Sequence, residues 1–219
     1  MERIKVLLVD DHALIREGIR SLLQLHNDME VVGEAGNGEE AIQKTRELNP
    51  DIVVMDISMP SISGIEATRL ILKEKPETKI VVLSRHDNLN YARSMLKAGA
   101  LGYVPKKAIS AELAEAIRAV FGGGVFLHHS IAKAITEDYV QRVDLEPKDG
   151  LYEQLTEREK DILRLLAEGY TTHQIADRLY LATKTVFNHR RNLMEKLGIE
   201  SPVQLVAYAV KIGLVNNQT

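Results

Sequence analysis

Within the first 121 positions, apolar residues gather into short runs near 4–9, 30–33, 51–56, 79–84 and 101–104. Between and after them lie stretches near 12–25, 37–48, 64–74, 88–98 and 110–121, where apolar residues recur at helical spacing. Runs of Val, Ile and Leu that are continuous rather than alternating fit strands buried on both faces. Five strand–helix repeats predict an α/β domain over 1–121, a five-stranded doubly wound parallel sheet with helices on both sides. Gly122-Gly123-Gly124 breaks that pattern. A linker region over 122–150 follows, with a connecting helix predicted at 127–143 from the spacing of Ala132, Ile135 and Tyr139. His128 and His129 would begin that helix. Its last part, 144–150, is polar, carries Pro147 and Gly150, and reads as exposed chain.

Residues 151–219 carry no strand signal. Their pattern predicts four short helices, a small all-α domain. Thr156 with Glu159, and Thr171 with Gln174, have the spacing of capping boxes. Ser201 before Pro202 is a cap with proline at the first helical position. Gly169 and Gly198 stand where helices should stop. A short helix (171–179), a tight turn at 180–182 and a longer basic helix make a helix-turn-helix arrangement.

Composition narrows the function little but excludes several classes. The 219 residues carry a formal net charge of −3, with no global pull toward nucleic acid or membrane. Zero cysteines excludes disulfides, thiolate-bound zinc and thiol catalysis, and suits a reducing cytosol. The chain enters its first strand straight after Met1-Glu2-Arg3, so no signal peptide is expected. No apolar run approaches the roughly 20 residues that span a bilayer. The expectation is a soluble cytoplasmic protein.

Chemistry gathers at the strand ends. The first run stops at Asp10 and Asp11, the third at Asp56, the fourth at Ser84, and the last leads through Pro105 to Lys106. In an open parallel sheet the strand C-termini share one edge, so these residues converge where strand order reverses. A carboxylate that attacks a phosphoryl donor approaches an anion, and three clustered aspartates repel one another. A divalent cation answers both demands, and Mg²⁺ suits one or two carboxylates, waters and a phosphate oxygen. Asp56, ending a central strand, is the expected nucleophile, forming an aspartyl-phosphate. Lys106 would neutralise a phosphate oxygen. Ser84 would donate to another, and Tyr103 would turn inward behind it, a two-position aromatic that phosphorylation can bias. His12 reads as lining the pocket. Gly33, Gly36 and Gly38 match neither nucleotide-loop spacing and read as an ordinary loop.

Val9-Asp10-Asp11-His12, Met55-Asp56-Ile57-Ser58-Met59-Pro60, Val82-Leu83-Ser84 and Gly102-Tyr103-Val104-Pro105-Lys106 closely resemble the receiver domain of bacterial two-component response regulators. The resemblance covers residues 3 to about 121 and implies a flavodoxin-like sheet. It makes Asp10 and Asp11 metal-binding acids, Asp56 the phosphoacceptor, Ser84 the switch hydroxyl, Tyr103 the switch aromatic and Lys106 the salt-bridging lysine. It adds the backbone carbonyl of Ser58 as a metal ligand. Two departures are Pro105, which precedes the lysine where the family has a cis proline after it, and Ser63, where an acid or amide is common.

Charge over 151–219 is nearly balanced, nine Lys and Arg against eight Asp and Glu, but 183–197 carries Lys184, Arg190, Arg191 and Lys196 against Glu195 alone. In a major groove, Lys184, Thr185 and His189 would lie near phosphates, with Phe187, Asn188 and Arg191 toward base edges. Leu155-Thr156-Glu157-Arg158-Glu159, Leu165-Leu166-Ala167-Glu168-Gly169, Ile175-Ala176, Lys184-Thr185-Val186, His189, Asn192 and Lys196-Leu197-Gly198 resemble the LuxR-type helix-turn-helix domain over 152–215. Joined to a receiver, the chain is similar to the NarL/FixJ family of transcription factors. That similarity implies a sensor histidine kinase as partner, double-stranded DNA with an inverted repeat, and a homodimer upon phosphorylation. The dimer contact would use the last helix, where Val203, Val206, Ala207 and Val210 form an apolar stripe. Ala182 replaces the usual Ser cap, and Phe187 a common Lys or Arg. Two other readings are an aspartate-nucleophile phosphatase, which lacks its second acid because Ser58 stands there, and an adaptor that needs no phosphate.

Overall fold

The computed structural model describes residues 3–85, 89–128, 151–168, 170–199 and 202–214. The chain forms two compact units, residues 1–121 with 126–128, and residues 122–125 with 129–219.

In the first unit, β1 (Ile4–Val9), β2 (Met29–Ala35), β3 (Ile52–Asp56), β4 (Lys79–Ser84), β5 (Gly102–Pro105) and β6 (Phe126–Leu127) make one sheet of order β2-β1-β3-β4-β5-β6. Every neighbouring pair is parallel. Helices α1 (Ala13–Leu23), α2 (Gly38–Leu48), α3 (Gly64–Glu74), α4 (Leu89–Lys97) and α5 (Ile109–Phe121) connect the strands. Alternate residues of each strand serve opposite faces. Ile4, Val6, Leu8, Ile52, Val54, Val81 and Leu83 pack with Ile19 and Leu23 of α1 and Leu113, Ile117 and Val120 of α5. The intervening Leu7, Val53, Met55 and Val82 are equally buried, which is why these strands carry no polar alternation. Chain order reverses between β1 and β3, and the pocket lies beyond that point.

The sheet has six strands, one more than the pattern predicts. Leu127, expected to open a connecting helix, lies instead in β6, and Phe126 and Leu127 pair with Gly102 and Tyr103. The Phe126 amide donates to the Leu101 carbonyl at 2.9 Å and the His128 amide to the Tyr103 carbonyl at 3.1 Å. Two residues are too few to show a period, so this strand left no sequence signal. His128, also expected in that helix, lies in no helix, while residues 129–143, the 144–150 linker, Gly169 and Ser201 lie outside the described residues.

Helix starts in this unit follow side-chain chemistry. Asn37 Oδ1 accepts from the Glu40 amide at 2.9 Å, and Ser63 Oγ from the Glu66 amide at 3.3 Å. The departure at Ser63 therefore serves as the cap of α3. The start of α1 differs, because His12 occupies the N-cap without a side-chain capping bond.

The second unit contains α6 (Glu157–Ala167), α7 (Thr172–Leu179), α8 (Thr183–Leu197) and α9 (Pro202–Lys211). Both capping boxes form, Thr156 with Glu159 and Thr171 with Gln174. Pro202 is the first residue of α9, and Gly198 ends α8 with φ 63°. The core joins Ile162, Leu163 and Leu166 of α6, Ile175 of α7, Val186 and Leu193 of α8, and Leu205 and Ala209 of α9. Glu159 is buried and ties α6 to α8, since Lys196 Nζ donates to its Oε2 at 2.8 Å. Burial pushes the Glu159 carboxyl up, but the Lys196 and Thr156 donors outweigh it and hold the group below its ordinary value. Ala182 at the N-cap of α8 supplies no side-chain bond. Ala182→Ser should stabilise this unit by about 1 kcal/mol, seen as a rise in its melting transition by calorimetry on the full chain.

Candidate functional site

The pocket of the first unit is built from three strand ends. Asp10 follows β1, Asp56 closes β3, and Lys106 opens a short 3₁₀ turn (Lys106–Ala108) directly after β5. Lys106 Nζ lies 2.5 Å from Asp10 Oδ2 and 2.9 Å from Asp56 Oδ2. Pro105 before the lysine is therefore compatible with an ammonium that reaches both acids. Both carboxylates are nearly inaccessible, with side chains 1% and 3% exposed. The other Asp56 oxygen, Oδ1, accepts from the Ile57 amide at 2.8 Å. Burial pushes the Asp56 carboxyl above its ordinary value and Asp10 adds to that, while Lys106 and the Ile57 amide oppose them. One ammonium thus faces two buried carboxylates, with the more exposed Asp11 beside them.

Ligand atoms of Asp10, Asp11, His12 and Asp56 all lie within 4.8 Å of one another. Such a set could hold a metal ion, and its three carboxylates are the hard oxygen donors that Mg²⁺ takes. Ser58 follows β3 at the exposed rim. Ser84 ends β4 and is buried, and the Tyr103 ring is fully buried. A close approach holds the loop after β3. The Gly64 amide donates to the Ile57 carbonyl at 3.1 Å, and a Cβ at Gly64 would meet the Asp56 carbonyl oxygen at 2.0 Å.

Two residues at this edge escaped the sequence reading. Arg85, directly after Ser84, places Nη2 3.0 Å from His12 Nδ1 and in contact with Nε2. His12 Nδ1 in turn lies 2.6 Å from Asp11 Oδ1. A charged residue just past a strand end was the available signal for Arg85. The signal for Gly64 was a glycine opening a helix that follows the acceptor loop.

In the second unit, α8 presents Lys184, Phe187, Asn188 and Arg191 to solvent at spacings of three, one and three, a single helix face. Thr185 and His189 flank it, half-buried. Arg190 points the other way, in phase with buried Val186, Leu193 and Leu197, and its Nη1 donates to Thr172 Oγ1 at 2.6 Å. Burial pushes its guanidinium down to about 10, still cationic at neutral pH. The Phe187 ring lies 5.8 Å from that guanidinium. On α9, Leu205, Tyr208 and Ala209 face the core, while Val206 is half-buried. The side chains of Val203, Ala207 and Val210 lie outside the described residues.

A buried aspartate lies at the switch point of a doubly wound sheet, with a lysine and two further acids around it. A basic helix-turn-helix in the same chain adds a DNA-reading unit. Residues 6–118 match the family model of response regulator receiver domains, and residues 153–209 that of luxR-family bacterial regulatory proteins. Transcriptional regulatory protein DegU of Brevibacillus brevis is 35% identical over 225 residues, 97% of this chain and 95% of its own length. Oxygen regulatory protein NreC of Staphylococcus carnosus (strain TM300) is 36% identical over 97% of this chain and 100% of its own. The response regulator RcsB in complex with DNA superposes with a TM-score of 0.58 at 27% identity, covering 96% of this chain and 100% of that one. The chain belongs to the two-component response regulators of the NarL/FixJ family, DNA-binding transcriptional regulators that join a receiver to a LuxR-type helix-turn-helix domain.

Proposed function

We propose that Asp56 accepts a phosphoryl group from a sensor histidine kinase and that this controls dimerisation and DNA binding. The observation that carries the reading is the shared grip of Lys106 on Asp10 and Asp56 in a nearly inaccessible acidic pocket. A carboxylate oxygen of Asp56 attacks phosphorus, the bond from phosphorus to the donor nitrogen breaks, and an acyl phosphate forms. Lys106 then exchanges a carboxylate partner for a phosphoryl oxygen, and the Ser84 hydroxyl donates to another. Mg²⁺ held by Asp10, Asp11, Asp56 and the Ser58 carbonyl would supply the charge neutralisation that one ammonium cannot. The chain is a stoichiometric acceptor rather than an enzyme with an external substrate, since Ser58 replaces the second acid a phosphatase would use.

On the DNA side, Lys184, Thr185 and His189 would meet phosphates, with Phe187, Asn188 and Arg191 at base edges. Solved RcsB structures that include DNA and dimers support DNA contact and pairing. A two-fold dimer through Val203, Val206 and Val210 would read an inverted repeat with half-sites about one helical turn apart. Among the described residues no helix is long and apolar enough to cross a membrane.

Intact mass after incubation with Mg²⁺ and acetyl phosphate tests the switch. One added phosphoryl is expected, and none is expected with a chelator present. No adduct, together with no binding of beryllofluoride, would overturn the reading. Phe187→Lys should change the consensus recovered by site selection at one position, because one good base contact is worth about 1–3 kcal/mol of discrimination.

A further inference from the structure

The strand order sets up an unusual contact. β1, β3 and β4 are successive neighbours, so the loop after β1 and the loop after β4 flank the end of β3, where Asp56 stands. Strands two places apart are about 10 Å apart. His12 from the first loop and Arg85 from the second meet across that distance, 73 residues apart in sequence. A link between those two loops passes over the end of β3.

His12 Nδ1 lies 2.6 Å from Asp11 Oδ1 and 3.0 Å from Arg85 Nη2, so the imidazole stands between the carboxylate and the guanidinium. The His12 backbone amide is anchored as well, donating to Asp10 Oδ1 at 2.9 Å. His12 stands at the N-cap of α1 yet makes no capping bond, so its ring serves the contact with Arg85 and not its own helix. Both ends of the link are solvent-facing while the acids beneath are buried, as expected of a cover at a mouth.

We infer that the Arg85–His12 bridge is a gate across the mouth of the phosphoacceptor pocket and that Arg85 sets the speed of the switch. The inference rests on Asp56 being the acceptor. A phosphodonor and the water that later hydrolyses the acyl phosphate both approach Asp56 from the open end of the strands. A single gate therefore scales uptake and loss by the same factor, the fraction of time it stands open. Steady-state phosphorylation at a fixed donor concentration is then independent of the gate, and only the response time depends on it. Arg85 acts by covering the site, a positioning role rather than a chemical one.

Full-length wild type, Arg85→Ala, His12→Ala and the double variant are phosphorylated with acetyl phosphate and Mg²⁺. Uptake and subsequent loss are followed by intact mass. Arg85→Ala should speed both about fivefold, the worth of one exposed hydrogen bond, and leave the plateau unchanged. The double variant should match Arg85→Ala, because the two residues are ends of one bridge. An unchanged melting temperature with these faster rates would separate gating from loosening of the fold. Equal rates in wild type and Arg85→Ala would overturn the gate while leaving Asp56 as acceptor. Slower uptake in Arg85→Ala would also overturn it, making Arg85 a seat for the anionic donor. Absence of any adduct on wild type would remove the phosphoacceptor reading and the gate with it.

Discussion

Asp56→Asn should take up no phosphoryl group under conditions that modify the wild type, and should show no phosphate-stimulated DNA binding. The same variant should nevertheless be the more stable protein when metal is removed. Burial raises the Asp56 carboxyl above the 3.8 of a free side chain. Between that value and the folded one, the native state binds more protons than the unfolded chain. The contribution of Asp56 to stability is therefore fully present below pH 3.8 and is lost as pH rises through the folded value. Asparagine removes that loss and still offers an oxygen to the Ile57 amide, leaving Lys106 with Asp10. Calorimetry with a chelator should show the two proteins alike near pH 3.8 and the variant's first unit melting higher at neutral pH. Equal melting at neutral pH would mean that Lys106 fully compensates the buried charge. Mg²⁺ should narrow the gap by stabilising the wild type more.

Gly64→Ala should damage the switch without touching a chemical group. Its Cβ would stand 2.0 Å from the Asp56 carbonyl oxygen and 3.0 Å from the Ile57 Cα, both backbone. Neither neighbour can swing away as a side chain would, so the acceptor loop must move. A cost of about 3 kcal/mol is expected, with phosphoryl uptake lost or much slowed. Gly18→Ala is the control, for nothing lies within 4 Å of the added Cβ at this exposed position of α1. That change should stabilise by about 1 kcal/mol and leave uptake alone. Urea melts with intact mass on each variant check both expectations. Normal uptake by Gly64→Ala would show that the loop is free to relax.

What could be read from sequence followed burial and repetition. β1, β3 and β4 are continuous Val, Ile and Leu runs because both sheet faces are covered, and their ends placed Asp10, Asp56 and Ser84 at one edge. Caps at Thr156 and Thr171 were equally legible, being local chemistry at fixed spacing. β6 was not, since its two residues owe their conformation to pairing with Gly102 and Tyr103 rather than to any period. Arg85 stands visibly just past a strand end, but its meeting with His12 is tertiary and cannot be read locally. Arg190 is an intermediate case. Its phase with Val186, Leu193 and Leu197 marks it as inward-facing, but its charge drew it into the basic surface.

The second edge of the sheet has a practical bearing on how the first unit can be excised. β6 supplies amide donors to the Leu101 and Tyr103 carbonyls and covers the flank of β5. A fragment ending at Phe121, where the repeating pattern stops, would bare that flank as an unpaired apolar edge, a template for another strand. Such a receiver fragment should pair with itself in a phosphate-independent way that the full chain does not share. Dimerisation measured on it would then report the cut. A fragment carried past His128 keeps β5 paired and is the one in which phosphate-driven association can be judged.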